Sequence, residues 1–273
     1  PPDKAKLYWK LIGARRTLRE NQIDLYHGLA HQIPRSVRLS AVPKVVTIHD
    51  LIYRHFPDLF PGENLDLLDQ QLRRVCTLSD HIIAVSQNTK SDLIEFFSIA
   101  PSKISVIYQA CDKRYQIQVP SDQKKEIKNK YQLPDGFLLY VGSMSERKNL
   151  LTVVKAIKRI PTRERTPLVV IGQRTSYTRN VLTYAGQHGL SDAIIFPKNV
   201  TTQDLPAIYQ SSKIFLYPSL YEGFGIPVLE AITSGTPVVT SATSAMPEAG
   251  GPSARLVEPT DVDSIAEAIQ EIL

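Results

Sequence analysis

Residues Lys213–Thr240 read KIFLYPSLYEGFGIPVLEAITSGTPVVT, and this stretch decides the fold. An apolar run leads into a glycine-rich turn, a short helical pattern and then a second apolar run, Pro237–Thr240. Strand, turn, helix and strand in this order form the repeating unit of a parallel α/β sheet. At such a turn, backbone N–H groups and the positive end of the helix dipole point to one place, which suits a phosphate-bearing ligand.

Two acidic residues flank this turn. Glu222 and Glu230 lie eight positions apart, on either side of the glycines. Both would repel a ligand that carried phosphate alone, whereas carboxylates readily accept hydrogen bonds from hydroxyl groups. The pattern therefore indicates a ligand with both phosphates and hydroxyls, such as a nucleotide-sugar.

The same alternation of β-branched runs and helical patterns extends over the chain in two halves. It predicts two Rossmann-like, doubly wound α/β domains that face each other across a cleft. We expect an acceptor-side domain over residues 1–118, a linker with a surface helix over 119–135, and a second domain over 136–273. The predicted strands are Ile23–His27, Lys44–His49, His81–Ser86 and Ile104–Tyr108 in the first half, and Phe137–Val141, Leu168–Ile171, Ala193–Phe196, Ile214–Tyr217, Val238–Thr240 and Ala254–Val257 in the second.

Composition limits the class of protein. With 42% hydrophobic and 22% charged residues among 273, the chain has the make-up of an ordinary globular protein, and we expect it in the cytoplasm. It has no apolar stretch of membrane-spanning length and no signal-peptide pattern at Pro1. The net charge is +5, but the basic residues do not cluster into the stripe that is typical of a nucleic-acid binder. Cys76 and Cys111 lack metal-site spacing, so we expect both to be reduced and buried.

Four stretches carry a family resemblance. The Glu222–Glu230 block has the spacing E-x7-E and continues into AITSGTPVV, and Tyr140–Ser143 is followed by the run RKNL. Val46–Leu51 reads VTIHDL, and the run IAVS ending at Ser86 precedes Lys90. Together they resemble a retaining glycosyltransferase of the GT-B fold, family 4, a group that includes many bacterial mannosyl- and glucosyltransferases.

The resemblance implies that Arg147 and Lys148 grip the diphosphate of a sugar nucleotide, and that Gly142 and Ser143 let the chain approach the phosphates. Cationic side chains suit this role because they pair with phosphate oxygens and stabilise the leaving group. The alternative interpretation is a solvated helix start. Basic residues are unfavourable at a helix N-terminus unless an anion lies there, and this favours the functional interpretation.

The same resemblance implies roles for the two glutamates and for His49. Glu222 would accept hydrogen bonds from the donor sugar, Glu230 from the ribose, and His49 would contact the reacting centre. As alternatives, Glu230 complements the helix dipole from the first turn, and His49 is only hydrogen-bonded to a loop. The implied catalytic residues are His49, Glu222, Arg147 and Lys148, and the further donor contacts are the backbone groups of Val200, Gly223, Phe224, Gly225 and Ile226.

As a hypothesis, the resemblance implies transfer of a hexose from a nucleoside diphosphate to a glycan or lipid-linked glycan, with retention of configuration. GDP-mannose is the first expected donor and a UDP-hexose the second, with no metal or other cofactor. Two alternatives are a nucleotide-sugar-binding domain without turnover and a GT-B nucleotide-sugar epimerase. A dinucleotide-dependent oxidoreductase is disfavoured because no G-x-G-x-x-G follows the first strand of either half.

The two ends of the chain differ from the family pattern. Family members open with a strand and a glycine-rich loop, and their last helices brace the first domain, so we expect the acceptor-side domain to be incomplete. Residues Pro2–Arg19 read as a basic amphipathic helix, with leucines on one side. Such a helix can lie on an anionic membrane surface or pack on its own sheet, and packing is the commoner outcome.

Overall fold

A computed structural model of the protein describes residues 13–273. The chain divides between Tyr108 and Gln109 into two compact units, each with its own parallel sheet. This is the α/β fold class predicted from the alternating pattern. The predicted helix over Pro2–Arg19 falls partly outside the described residues. Its described part contains a helix over Ala14–Glu20, and Ala14 and Leu18 lie in the core of the first unit.

The first unit contains four parallel strands in the order β1-β2-β3-β4 within the described residues. The central strands β2 and β3 supply the core residues Val46, Ile48, Ile82 and Ala84. The strands are β1 Tyr26–Gly28, β2 Lys44–Ile48, β3 His81–Ala84 and β4 Ile104–Val106, and the helices are α1 Ala14–Glu20, α2 Arg35–Arg38, α3 Ile52–His55, α4 Leu65–Leu78 and α5 Gln87–Phe97.

Two predicted start positions in this unit were wrong, and the reasons are local. Strand β1 begins at Tyr26 rather than Ile23, because its partner β2 begins at Lys44, directly opposite Tyr26. Ile23 and Leu25 are exposed instead of pairing. The sequence also has a helical pattern from about Gly62 to Leu78, but helix α4 begins at Leu65, because the side chain of Asn64 accepts a hydrogen bond from the Leu67 N–H and caps the helix.

The second unit contains six parallel strands in the order β10-β9-β8-β5-β6-β7. Strands β5, β6, β8 and β9 are almost wholly buried, which explains their continuous apolar sequence. The strands are β5 Leu138–Val141, β6 Leu168–Ile171, β7 Ile194–Ile195, β8 Ile214–Tyr217, β9 Val238–Ser241 and β10 Ala254–Val257. The helices are α6 Ser121–Tyr131, α7 Leu150–Arg159, α8 Thr178–Gln187, α9 Leu205–Ser211, α10 Ile226–Thr233, α11 Met246–Gly250 and α12 Val262–Ile272.

The strand order of the second sheet reverses between β5 and β8. From β5 the chain builds outward through β6 and β7, and it then returns to place β8 on the other side of β5. The ladder between them joins Leu138 to Ile214 and Leu139 to Phe215, and ends before Tyr140. In open α/β sheets, ligands bind outside the carboxyl ends of the strands at such a switch point.

The segment after Tyr108 belongs to the second unit, whereas the predicted first domain extends to residue 118. The ring of Tyr115 packs edge-on against Tyr209 at a centroid distance of 5.6 Å. The Val119 N–H donates to the Gln210 side chain at 2.9 Å. Helix α6 follows at the predicted surface position, with only Ile127 and Tyr131 buried.

The cysteines differ from each other in burial. Both are free thiols, as expected. Cys76 is buried, whereas the expectation of burial was wrong for Cys111, which is half-buried. The Cys111 thiol lies 3.4 Å from the Thr233 hydroxyl on α10.

Candidate functional site

Two loops meet at the switch point of the second sheet. The loop after β5 leads through a turn of 3-10 helix, Glu146–Lys148, into α7, and the loop after β8 leads to Glu222. The Leu220 N–H donates to the Arg147 carbonyl at 2.8 Å, and the Asn149 side chain donates to the Pro218 carbonyl at 3.0 Å. These bonds hold together two loops that are about 70 residues apart in the chain.

The side chains of Arg147, Lys148 and Glu222 form one compact cluster between these loops. Glu222 Oε1 lies 2.7 Å from an Arg147 guanidinium nitrogen and 3.4 Å from the Lys148 ammonium. The three side chains are 11%, 15% and 13% exposed. The predicted cationic pair and the first predicted glutamate are therefore in direct contact, and Glu222 compensates part of the positive charge ahead of α7.

Two hydroxyl groups complete the environment of Glu222. Tyr217 and Ser219 both donate to Oε1 at 3.0 Å, and the Lys148 ammonium donates in turn to the Tyr217 hydroxyl. The Glu222 backbone is fixed as well, because its N–H donates to the Ser244 hydroxyl at 2.9 Å. Arg147 also donates to the Tyr221 carbonyl.

Tyr217, Ser219, Asn149 and Ser244 were missed by the sequence analysis. Tyr217 was read as part of an apolar strand, and its ring is indeed fully buried. The available signal was a tyrosine near the carboxyl end of each central strand. Tyr140 on β5 donates to the Lys148 carbonyl at 3.2 Å, and so supports the same cluster. Buried tyrosine hydroxyls require partners, which indicates a polar site at this edge of the sheet.

The ionisation of the cluster follows from its burial and its charges. Burial alone would raise the pKa of the Glu222 carboxyl, but Lys148 and Arg147 outweigh it and hold that pKa below its ordinary value of 4.5. Burial lowers the pKa of the Lys148 ammonium and outweighs the opposing charge of Glu222. Burial also raises the pKa of Tyr217, so its hydroxyl stays protonated. With both cations charged, the cluster carries a net charge of +1, which favours an anionic ligand.

Gly142 and Ser143 connect β5 to this cluster. A Cβ on Gly142 would lie 3.3 Å from Lys148 and 3.4 Å from Tyr217, so the glycine backbone borders the cationic group directly. Gly172, after β6, packs still more closely against the backbone of the loop after β5, since a Cβ added there would lie 1.9 Å from the Gly142 carbonyl oxygen. Ser143 follows, and its carbonyl accepts a hydrogen bond from Tyr140 at 3.4 Å.

The glycine-rich turn requires a glycine at one position. Gly225 precedes α10 with φ +119°, in the left-handed region that favours glycine. A Cβ there would also meet the Met246 side chain at 2.5 Å. Gly223 and Phe224 are buried, and Ile226 is the first residue of the helix and partly exposed. Their backbone contacts to a donor stay a prediction.

Glu230 belongs to a separate hydrogen-bonded group. Its Oε2 accepts from the buried Tyr209 hydroxyl at 3.1 Å, and Tyr115 also donates to it. The alternative that Glu230 complements the helix dipole from the first turn is wrong, because α10 begins at Ile226 and Glu230 is its fifth residue. Burial raises the pKa of the Glu230 carboxyl despite these two hydrogen bonds.

Val200 lies in the loop between β7 and α9. The hydroxyl of Tyr131 holds this loop from α6: it accepts from the Thr201 N–H at 3.3 Å and donates to Asp204 at 2.6 Å. Asn199, just before Val200, has φ +55°. The predicted role of Val200 in holding the base stays a prediction.

His49 lies in the first unit, directly after β2. Its ring Nε2 is 2.7 Å from the Leu29 carbonyl oxygen, so the loop hydrogen bond that formed the alternative interpretation is present. The neighbouring Asp50 accepts from the Ile52 N–H at 3.1 Å and caps the turn. Ser86 caps α5 through the Thr89 N–H, and Lys90 donates to the Ile104 carbonyl.

Among residues 13–273, no three His, Cys, Asp or Glu side chains come together as a group that could hold a metal ion. In the same part of the chain, no helix is both long enough and apolar enough to span a bilayer.

Two family models match this chain. The model described as glycosyl transferases group 1 matches residues 122–273, and the model described as Glycosyltransferase Family 4 matches residues 1–114. The first match alone covers more than half of the chain and contains the whole Arg147–Glu222 cluster.

Curated relatives agree with the family models. O-antigen chain mannosyltransferase B of Escherichia coli is 31% identical over 272 residues, a match that covers 97% of this chain and 70% of the relative. Serotype-specific mannosyltransferase WbdA of Escherichia coli is 32% identical over 260 residues, covering 92% of this chain and 32% of the relative. The chain thus spans only part of each of these proteins.

Solved structures show the same fold. A glycosyltransferase from Rickettsia africae ESF-5 superposes with a TM-score of 0.79 at 18% identity, covering 97% of this chain and 70% of that one. Anabaena Alr3699/HepE in complex with UDP superposes with a TM-score of 0.75 at 18% identity, covering 95% of this chain and 71% of that one. The match to these glycosyltransferases confirms the expected GT-B fold class. Together with the family models and the curated relatives, it shows that the chain belongs to the group 1 glycosyltransferases, of the family 4 type that its sequence resembles.

Proposed function

We propose that the protein transfers a hexose from a nucleoside diphosphate sugar to a hydroxyl group of a glycan or lipid-linked glycan, with retention of configuration. One observation carries the proposal: two cations and a carboxylate share a buried cluster at the carboxyl ends of β5 and β8. Such a switch point is where α/β sheets bind nucleotides. The net positive charge suits a diphosphate, and the carboxylate suits a sugar.

In this proposal, Arg147 and Lys148 bind the diphosphate and stabilise it as the leaving group. Both already lie in a dry environment, where charge interactions are strong and need no reorganisation during the reaction. As the phosphates take over the two cations, Glu222 is released to accept hydrogen bonds from the donor sugar. Tyr217 and Ser219 hold its Oε1, so we assign Oε2 to the sugar hydroxyl.

Glu230 takes the ribose hydroxyls in the same proposal. Holding a carboxylate partly buried raises its pKa and is unfavourable for folding, so a role in binding would explain why the position is acidic. Gly142, Ser143, Val200 and the turn at Gly223–Ile226 would supply the remaining donor contacts through the backbone.

We propose front-face transfer, in which the leaving diphosphate accepts the proton of the acceptor hydroxyl. Glu222 and Glu230 both have binding roles in this proposal, so neither serves as a covalent nucleophile. His49 would assist at the reacting centre, as the resemblance implies. The proposal requires no metal ion.

The choice of donor rests on the relatives. Several carry the name mannosyltransferase, and two act in O-antigen chains according to their names, which makes GDP-mannose the first donor to test. A solved structure of the same fold contains UDP-glucose, which makes a UDP-hexose the second. An O-antigen-like glycan is the corresponding acceptor.

We propose a cytoplasmic location with peripheral contact to the inner face of the membrane. Helix α1 supports this contact, because Arg15, Arg16 and Arg19 are exposed while Ala14 and Leu18 face the core. Anionic vesicles that sediment the protein, in a salt-dependent manner, would support the contact. Equal recovery with neutral vesicles would contradict it.

The test is a panel of sugar nucleotides with and without a mannan-type oligosaccharide acceptor. We expect acceptor-dependent release of nucleoside diphosphate and an elongated glycan, and we expect both to be lost in Arg147→Ala. Binding without release would instead support the domain without turnover. Interconversion of sugar nucleotides without acceptor would support the epimerase.

A further inference from the structure

His49 is held by hydrogen bonds at its backbone and at its ring. Its backbone N–H donates to Nε2 of His31 at 2.6 Å, and its carbonyl accepts from the Thr89 hydroxyl at 3.3 Å. Its ring Nε2 is 2.7 Å from the Leu29 carbonyl oxygen. The short segment Leu29–His31, which follows β1, therefore grips His49 at two points.

These partners define the protonation of both rings. A backbone N–H can only donate, so Nε2 of His31 must carry a lone pair, and the His31 ring is neutral with its proton on Nδ1. A carbonyl can only accept, so Nε2 of His49 carries a proton. A hydrogen bond at one ring nitrogen fixes both the tautomer and the orientation of an imidazole.

The backbone of His31 is shaped for this contact. His31 has φ +54°, in the left-handed region that few residues other than glycine adopt. Its own N–H donates to the Thr47 carbonyl of β2 at 3.1 Å, and its ring stacks on His49 at a centroid distance of 5.6 Å. With the backbone in this conformation, Nε2 of the His31 ring lies within hydrogen-bond distance of the His49 backbone N–H.

We infer that His31 is a positioning residue for His49: its neutral ring holds the His49 backbone N–H, and protonation of His31 ends that hold. The inference rests on the proposed function in one respect, because it gives His49 a part in transfer. The contact itself lies within the first unit.

The direction of the pH response follows from the surroundings of His31. Burial lowers its pKa and, together with the charge of His49, outweighs Asp50, which acts in the opposite direction. The folded-state pKa is therefore below the ordinary value of 6.5, and the neutral, accepting form prevails near neutral pH. Another histidine of this unit, His27 on β1, bonds through its ring to the Thr47 hydroxyl. Positioning is lost as the pH falls through the His31 pKa, because a protonated Nε2 can only donate.

The test combines amide NMR with the pH dependence of kcat/KM on the 273-residue chain. The variants are His31→Gln, which keeps an acceptor but cannot titrate, and His31→Ala, which removes the acceptor. His81→Gln is the matched control, since His81 lies in the same unit and its ring bonds to the Ser105 hydroxyl at 2.8 Å.

We expect the His49 amide resonance of the parent to titrate with a pKa below 6.5 and kcat/KM to fall with the same pKa. In His31→Gln the amide should no longer titrate, and the acid limb should disappear while activity near neutral pH persists. His31→Ala should lower kcat/KM about tenfold, as expected for the loss of one buried hydrogen bond.

The inference is overturned if the His49 amide titrates alike in the parent and in His31→Gln, or if His31→Ala keeps both the activity and the acid limb. A parent that transfers no hexose would refute the proposed function instead. The amide titration would then still decide whether His31 controls His49.

Discussion

At the residue scale, Glu222 shows how one side chain serves both folding and binding. Its Oε1 contacts two cationic side chains and accepts hydrogen bonds from two hydroxyl groups, in an environment that is largely shielded from water. Removing one partner of a buried ion pair leaves an uncompensated charge, whereas the intact pair contributes little net stability. The cluster is therefore better explained by ligand binding than by stability, and its members should be sensitive to substitution.

Glu222→Gln should lower stability in a pH-dependent way. The folded-state pKa of Glu222 lies below 4.5, so its contribution is present above that pH and is lost as the pH falls through the folded-state pKa. At neutral pH we expect a loss of about 2 kcal/mol in the free energy of unfolding, and convergence with the parent in acid. Urea unfolding at several pH values measures this. Glu271→Gln, in an exposed ion pair with Arg255, is the control and should change little. A Glu222→Gln effect that is constant over the pH range would contradict the account.

Glu230→Gln should have the opposite effect on stability. Burial raises the folded-state pKa of Glu230, so its charge disfavours the folded state as the pH rises past that value. A neutral amide can still accept from Tyr209, and we expect the variant to be as stable as the parent or up to about 1 kcal/mol more stable. Its affinity for GDP and UDP should nevertheless fall. Thermal unfolding and calorimetric titration test both parts, and a destabilised variant with unchanged nucleotide affinity would refute the assignment.

At the element scale, the site depends on how closely strand ends approach each other. Asn149 lies at the start of α7 with φ +61°, and its amide donates to the carbonyls of Pro218 and Pro259 at 3.0 and 2.6 Å. It therefore ties the loops after β5, β8 and β10 to one helix N-terminus. Gly172 lets β6 pass within contact of Gly142. These ties set the position of Arg147 and Lys148.

Gly172→Ala should damage the site through the backbone. The new Cβ would lie 1.9 Å from the Gly142 carbonyl oxygen, at a φ of +149°, so the loop after β5 must shift. We expect a loss of stability of about 2–4 kcal/mol and a weaker affinity for nucleoside diphosphates. Gly186→Ala is the matched control, because that glycine lies in α8 and its Cβ would meet no atom closer than 4.0 Å. The control should be neutral or stabilising. Equal behaviour of the two variants would contradict the role of Gly172.

At the scale of the whole molecule, sequence alone predicted the fold class and most strands. It also singled out Arg147, Lys148 and Glu222, which the structure brings into contact, while their roles stay a prediction. The strands were readable because buried parallel strands are continuous apolar runs. The cluster around Glu222 could be predicted only in part, because the residues that hydrogen-bond to its members come from distant positions in the sequence. Tyr217 and Lys148 are 69 positions apart, and the tyrosine at the carboxyl end of β8 indicates a polar site without indicating its partner.

The domain boundary shows a similar limit. Composition changes at Val119, but the compact units divide at Tyr108, because Tyr115 and Val119 make their contacts with α9. Start positions such as Tyr26 and Leu65 also depend on a partner strand and on a capping side chain. Such contacts are decided by tertiary packing rather than by local propensity.

The most direct test of the central claim is a calorimetric titration of GDP and UDP into the parent and into Arg147→Ala. Losing one charged contact to a diphosphate should weaken affinity by about 1.5–3 kcal/mol, or roughly tenfold to a hundredfold. Arg159→Ala is the control, since Arg159 pairs with Asp263 on the surface. We expect the control to bind as the parent does. If neither nucleotide binds the parent, or if Arg147→Ala binds as tightly as Arg159→Ala while remaining folded, the cluster does not bind a diphosphate.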